Sequence, residues 1–203
     1  MPGKSRATRP VGTWPPHRRT WRPPAQRETG RIHVIPAGRL EIARIPLLKK
    51  HRGQPPDVVL RWNRMSSPPS EVDVVIHFHG YADQRERMTL PRDKEPISGL
   101  DFEPPDRSSG VTQVRSHPTL AILPRGHYFG GRSGKGYSFP ALAAPGGVAK
   151  LIDLSLQSFS AQVGASQVTR RRLILTAHSG GGADLLRCLK HLDPDEVHVF
   201  DGL

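Results

Sequence analysis

The chain alternates short apolar runs with polar stretches rich in glycine and proline, a pattern that predicts β-strands separated by loops. The run Val72–Phe78 is apolar at nearly every position rather than at every second one, which is typical of a strand covered on both faces. Such a strand belongs in the middle of a sheet. The predicted strands are 40–47, 57–62, 72–79, 119–123, 172–176 and 197–200.

Two helices are predicted between the later strands. Residues 148–163 place apolar side chains on one stripe at helical spacing, and a second helix is expected from about 181 to 191, before Asp193 and Pro194. Strands that alternate with helices favour right-handed crossovers. We therefore expect an α/β fold with a mostly parallel, doubly wound sheet in three layers, α/β/α.

Reactive or backbone-exposing residues follow four of the predicted strands. In open α/β sheets ligands bind at the carboxyl ends of the strands, so these positions should share one edge. They are His79, Gly80 and Tyr81; Gly126 and His127; His178, Ser179 and Gly180; and Asp201.

Ser179 lies between an apolar strand and the glycines 180–182, and this pattern predicts a nucleophile elbow of the G-x-S-x-G kind. The small neighbours are needed because the serine occupies a strained turn from strand to helix. Ala177 stands where the motif has its first glycine, a mild steric change. The alternative is a glycine-rich turn that only packs.

Together these strand ends resemble the α/β-hydrolase fold, and the esterase and polyester-depolymerase branch in particular. The resemblance rests on the elbow, on the H-F-H-G-Y stretch at 77–81 and on the L-P-R-G stretch at 123–126. It implies acyl transfer from a small carboxylic ester, with amides as a further possibility, through Ser179. It also implies that Gly80 and Tyr81 lie beside the substrate carbonyl, with the amides of Tyr81 and Gly180 as oxyanion donors.

The family order is serine, then acid, then histidine. Asp201 follows the sixth predicted strand, which is an alternative position for the acid, although an Asp-Gly turn explains it equally well. No histidine follows Asp201 in this chain. We therefore expect a protein truncated after the sixth strand, whose base would lie beyond Leu203, and a feeble esterase at best. His127 is the best internal substitute as base or as a substrate contact.

A different class of function stays open on the same grounds, namely a catalytically incomplete hydrolase-like domain that binds a ligand or partner through the cleft. His178 should pack rather than act as the base, because adjacent side chains at a sharp turn generally point apart.

Two further motifs resemble binding sites but lack the residues or the spacing that those sites require. His77 and His79 share a strand face, but Tyr81 and Ala82 stand where a metallo-hydrolase would have Asp and His, so no metal site is predicted. The glycine-rich stretch 130–136 lacks the spacing of a phosphate-binding loop, and we expect it to form a flexible flap. No cofactor is predicted.

The net charge of +12 comes from the N-terminal third of the chain. Residues 1–70 carry 15 Lys and Arg against 3 Asp and Glu, whereas residues 71–203 carry 15 of each. Residues 1–30 are rich in Pro and Arg and are expected to be a disordered tail, followed by one hydrolase-like domain over 31–203. The tail could contact nucleic acid nonspecifically, without a functional role.

Composition also indicates where in the cell the protein is expected to be found. With no apolar run of about 18 residues, no secretory signal and only Cys188 as a thiol, we expect a cytoplasmic protein without membrane contact.

Overall fold

A six-stranded mixed β-sheet organises the fold, and a two-stranded hairpin follows its fourth strand in the chain. The computed structural model describes residues 34–80, 87–100, 117–131 and 134–201. All of them belong to one unit, Ile32–Leu203. The strands are β1 (Gly38–Ile42), β2 (Val58–Trp62), β3 (Glu71–Phe78), β4 (Thr119–Pro124), β5 (His127–Gly131), β6 (Gly134–Ser138), β7 (Thr169–His178) and β8 (Glu196–Phe200).

The strand order of the sheet is β1-β2-β4-β3-β7-β8. β3 pairs in parallel with β4 and with β7, and β7 pairs in parallel with β8. β2 is antiparallel to both of its neighbours, β1 and β4. The α/β class is confirmed, but the sheet is mixed, and the predicted mostly parallel, doubly wound sheet is not confirmed. The physical reason is the connection 43–57, which turns the chain back beside β1 without a crossover helix.

Three α-helices cover one face of the sheet: α1 (Pro140–Ala143), α2 (Gly147–Val163) and α3 (Gly181–Cys188). α2 begins after Gly146 and ends at Gly164, which adopt φ of 73° and 68°, a left-handed conformation that suits glycine. The stripe of α2 that was predicted to be apolar is buried against alternate residues of β3 and β7. Helix α3 ends three residues earlier than predicted.

The opposite face of the sheet is covered by a shorter segment. Residues Leu90–Lys94 form a π-helical turn and Glu95–Ile97 a 3₁₀ turn, and Leu90 and Leu100 pack on Val75 and its neighbours. The Arg39 guanidinium donates to both carboxylate oxygens of Glu95 at 2.7 and 2.9 Å and so holds this segment on β1. Within the described ranges, α-helices therefore lie on one face only, and the predicted α/β/α layering is not seen in full.

The hairpin β5–β6 replaces most of the flap that was expected at 130–136. Tyr137 lies within β6 and Phe139 directly follows that strand, and the two residues are 4% and 1% exposed. The Phe139 ring meets the Phe78 ring at the end of β3 edge to face, with the centroids 5.2 Å apart. These two aromatic side chains therefore attach the hairpin to the carboxyl edge of the sheet.

A buried ion pair joins β2, β4 and the β1–β2 connection. Arg125 and Asp57 are 5% and 6% exposed, and the guanidinium donates from Nε and Nη2 to Asp57 Oδ1 at 3.0 and 2.7 Å. Its Nη1 donates to the His51 carbonyl oxygen at 2.9 Å, and Asp57 Oδ2 accepts the Ile45 amide at 2.8 Å. The pair fixes the loop that follows β1 against the carboxyl ends of the other strands.

Arg125→Met should therefore lower the free energy of unfolding by about 3–5 kcal/mol, because it leaves the Asp57 carboxylate buried without its charge partner. The matched control is Arg92→Met, which removes a cation that pairs with Asp93 at the exposed surface. Urea denaturation measures both variants. If both variants lost the same free energy of unfolding, the buried ion pair would contribute no more to stability than the exposed one.

Candidate active site

The chain turns sharply at Ser179, between β7 and α3. Ser179 has a φ of +50°, a left-handed conformation that non-glycine residues rarely adopt. Its amide donates to the Phe200 carbonyl oxygen at 2.9 Å, and its carbonyl oxygen accepts the Gly182 amide at 3.0 Å. The serine is thus held at the carboxyl edge of the sheet by backbone bonds on both sides, and the residue is half-buried.

Two glycines make this turn possible. A Cβ at Gly181 would overlap the carbonyl oxygen of Phe78, so α3 can start this close to β3 only through glycine. A Cβ at Gly80 would lie 2.9 Å from Ser179 Cβ and 3.0 Å from the His178 carbonyl oxygen. The loop that follows β3 therefore passes directly beside the serine, as the sequence predicted.

The amide of Gly180 lies immediately before the first turn of α3. Gly180 is the N-cap of this helix, and no described residue accepts a hydrogen bond from its amide. The amides at a helix N-terminus carry partial positive charge, which favours an anion. An anion beside this helix start would therefore be favoured, and the role of Gly180 as an oxyanion donor stays a prediction. Tyr81, the second expected donor, lies outside the described residues.

Asp201 is adjacent to the elbow through β8. It follows Phe200, the residue that accepts the Ser179 amide, and it is exposed with a φ of +48°. The left-handed backbone agrees with the Asp-Gly turn considered from the sequence. No described histidine forms a hydrogen bond with its carboxylate. The structure brings Asp201 to the edge that carries Ser179 and does not link it to a base.

His79 occupies a supporting position rather than the ligand-facing position expected for it. The ring is 2% exposed, its Nδ1–H donates to the Gly80 carbonyl oxygen at 3.0 Å, and its Nε2 accepts the Tyr137 hydroxyl at 3.0 Å. That hydroxyl accepts the Gly126 amide at 2.6 Å. Burial lowers the pKa of His79 to about 3 and raises the pKa of Tyr137. A neutral ring therefore orients the loop that carries Gly80.

His127 is turned toward the β1–β2 connection. Its Nδ1 accepts the Arg52 amide at 2.9 Å, and its ring lies 5.7 Å from that of His51. Burial, with Arg52 and Arg125 nearby, lowers the pKa of His127. Among the described residues this ring forms no hydrogen bond with the Ser179 hydroxyl, and the role of His127 as a substitute base stays a prediction. His178, next to the serine, lies against Gly80 as expected of a packing residue.

His77 is also held within the sheet. Its Nδ1 forms a hydrogen bond with Thr176 Oγ1 at 2.8 Å, and burial lowers its pKa to about 4. In the described part of the chain, no three His, Cys, Asp or Glu side chains are grouped so that they could hold a metal ion.

The arrangement presents one half-buried hydroxyl nucleophile, that of Ser179, beside backbone amides. The Ser179 hydroxyl forms no hydrogen bond with any described residue. With Gly180 and Gly80 on either side, a carbonyl group placed above the serine would meet both the hydroxyl and an amide donor. The chemistry that this geometry can support is attack on a carbonyl carbon, provided that a base takes the serine proton.

The sequence did not predict the contacts by which Tyr137 and Asp184 support the region of the turn at Ser179. Tyr137 supports His79, and Asp184 Oδ2 accepts the Phe139 amide at 3.0 Å and so connects α3 to the start of α1. The pattern around Tyr137 resembles a loop because glycines surround it. Asp184 was expected to complement the helix dipole, and the structure adds this connection to α1.

Comparison of the chain with protein-family models, with curated proteins and with solved structures found no match. In the described ranges, no helix has the length and apolar character needed to cross a membrane.

The buried histidines predict how stability depends on pH. The pKa of His51 in the folded protein is about 4, and those of His77 and His79 are about 4 and about 3, whereas an unfolded histidine titrates near 6.5. Below pH ~6.5 the unfolded chain therefore binds more protons than the folded protein. Their contribution to stability is complete above pH ~6.5 and is lost as the pH falls toward about 4.

Urea denaturation at a series of pH values should show a falling free energy of unfolding below pH ~6.5. His51→Gln, which keeps a donor and an acceptor toward Arg125 and Ala141, should reduce that slope by roughly 1 kcal/mol per pH unit. A variant with the same slope as the wild type would show that His51 takes up its proton at about the same pH in the folded and the unfolded protein.

Proposed function

We propose that the protein is a serine hydrolase of the α/β-hydrolase type that acts on small carboxylic esters through Ser179. The observation that carries this proposal is the backbone of Ser179, which has a positive φ although the residue is not glycine. Strain of this kind persists only where surrounding structure enforces it, and it is typical of functional sites. Here the enforcing contact is the approach of Gly181 to Phe78.

The neighbouring strands support the same proposal. In nucleophile elbows of this class, one oxyanion donor is the amide after the serine and the other comes from the loop after the third strand. Gly180 follows the serine, and Gly80 begins the loop after β3, the third strand in chain order and the parallel neighbour of β7. The two segments are in contact at Ser179.

In the proposed reaction, Ser179 Oγ attacks the ester carbonyl carbon and the amides of Gly180 and Tyr81 hold the oxygen that becomes negative. The serine proton passes through the base to the departing alkoxide, which leaves as the alcohol. Water then attacks the acyl carbon, so that the carboxylic acid leaves and the serine hydroxyl is restored. A single oxyanion donor typically contributes about 3–4 kcal/mol to the stabilisation of the transition state. No cofactor takes part in this proposal, and the proposed substrate is a small-molecule ester.

The base is the part of the proposal with least structural support. The rings of His51, His77, His79 and His127 each bond to groups other than Ser179, and His198 pairs with Glu196. This observation favours a second candidate function, in which the same cleft binds a ligand or partner without turnover. The two candidates differ in the reactivity of Ser179, so a covalent probe distinguishes them.

A fluorophosphonate probe should label Ser179, because it reacts with serines whose hydroxyl is activated beside an oxyanion hole. Intact-mass spectrometry measures the adduct, and p-nitrophenyl butyrate measures turnover. Ser179→Ala should lose both signals. The control is Ser166→Ala, which removes an exposed serine beyond α2 and should leave labelling unchanged.

Equal labelling of the wild type and Ser179→Ala would exclude Ser179 as the nucleophile. A folded wild type that takes up no probe would instead favour the non-catalytic candidate.

A further inference from the structure

A cavity opens at the same edge of the sheet as Ser179, at the ends of β1 and β4 and the start of β2. Its volume is about 750 Å³, and its lining includes Arg44, Lys49, Asp57 and Arg125. Arg125 follows β4, which is two strand spacings from β7, so the cavity lies roughly 10 Å or more from the elbow. A space of this size holds a small organic molecule.

The charges around the cavity favour an anion. The one carboxylate in its lining, Asp57, accepts two guanidinium N–H groups of Arg125 and the Ile45 amide. Arg125 and Asp57 thus offset each other. Arg44 and Lys49 are exposed at the rim, and neither forms an ion pair with a described residue. The net charge that a ligand would meet is therefore positive.

Arg125 also supplies directed donors. A guanidinium group has five N–H donors. Three are taken, by Asp57 Oδ1 twice and by the His51 carbonyl oxygen once, which leaves one N–H on each terminal nitrogen. The side chain is only 6% exposed and lines the cavity. Buried donors are normally paired, so these two groups point to a ligand that offers acceptor oxygens.

The rest of the wall is apolar. Ile45 and Leu48 are buried, and they line the cavity with Pro46 and Pro55. Gly53 also lines the cavity, and because a Cβ there would be 2.9 Å from Arg125 Nη1, glycine at this position leaves room for the guanidinium. A ligand that fills this space needs an apolar part as well as an anionic group.

We propose that this cavity binds a small organic anion, whose carboxylate or phosphate group is held by Arg125, Arg44 and Lys49 and whose apolar part contacts Ile45 and Leu48. This binding does not depend on the reactivity of Ser179. Charge-assisted hydrogen bonds from two or three cations explain why an anionic group is preferred over a neutral one.

Isothermal titration calorimetry with hexanoate, hexyl phosphate and neutral hexanol tests the proposal. The wild-type protein should bind at least one of the two anions and should bind hexanol at least about tenfold more weakly, since each charge-assisted hydrogen bond contributes enough free energy for that ratio. Binding of hexanoate alone assigns a carboxylate ligand, and binding of hexyl phosphate alone assigns a phosphate ligand. Binding of both supports the shared anion site.

Arg44→Glu combined with Lys49→Glu should weaken anion binding about tenfold or more, because both rim charges change sign. The matched control combines Lys150→Glu with Lys190→Glu, which makes the same change in net charge at exposed positions away from the cavity. Circular dichroism confirms that both variants fold.

The proposal is overturned if neither anion binds at a concentration of about 10 mM. It is also overturned if hexanol binds as well as the anions, or if the control weakens binding as much as the rim variant. Ser179→Ala should bind the anions as the wild type does, so failure of the proposed hydrolase activity leaves this result unaffected.

Discussion

The contact between the start of α3 and the end of β3 is the constraint on which the candidate site depends. Gly181 lies against the Phe78 carbonyl oxygen so closely that a Cβ would overlap it. Because α3 begins there and β7 ends at His178, only two residues remain to reverse the chain. Ser179 takes the strained part of that turn with its positive φ. Ser179 is therefore held at the edge of the sheet, directly before the Gly180 amide that precedes α3.

The groups behind this contact hold it in place. His79 fixes the Gly80 carbonyl oxygen and is itself fixed by Tyr137. On the other side, Asp184 of α3 accepts the Phe139 amide, while the Phe139 ring packs on Phe78. A neutral histidine, a phenol and a carboxylate thus support a turn that costs about 1–2 kcal/mol of backbone strain. The same edge of the sheet continues to the Asp57–Arg125 pair, so the two proposed sites share a scaffold.

The sequence predicted the elements whose pattern is local. The apolar run at 72–79 is β3, the stripe at 148–163 is α2, and the glycines after Ser179 open α3, each within one or two residues at its start. The antiparallel position of β2 was not predicted, because strand direction depends on how the 43–57 connection returns and not on periodicity. The hairpin β5–β6 was missed because its glycines hide the two-residue alternation.

The candidate site was predicted in outline and not in its detailed contacts. Ser179, Gly80, Gly180 and Asp201 lie at one edge because strand ends collect there. The burial of His79 and the turn of His127 toward Arg52 depend on partners 58 and 75 residues away in the chain, and no local pattern encodes them.

The stability of Ser179→Gly relative to Ser179→Ala tests most directly whether Ser179 is held in a strained conformation. At a φ of +50° glycine avoids the steric cost of a Cβ, so the glycine variant should be the more stable by about 1 kcal/mol in urea denaturation. At Ser158, within α2, the order should reverse, because glycine is less favourable than alanine in a helix by about 1 kcal/mol. A more stable alanine variant at both positions would contradict the strained elbow.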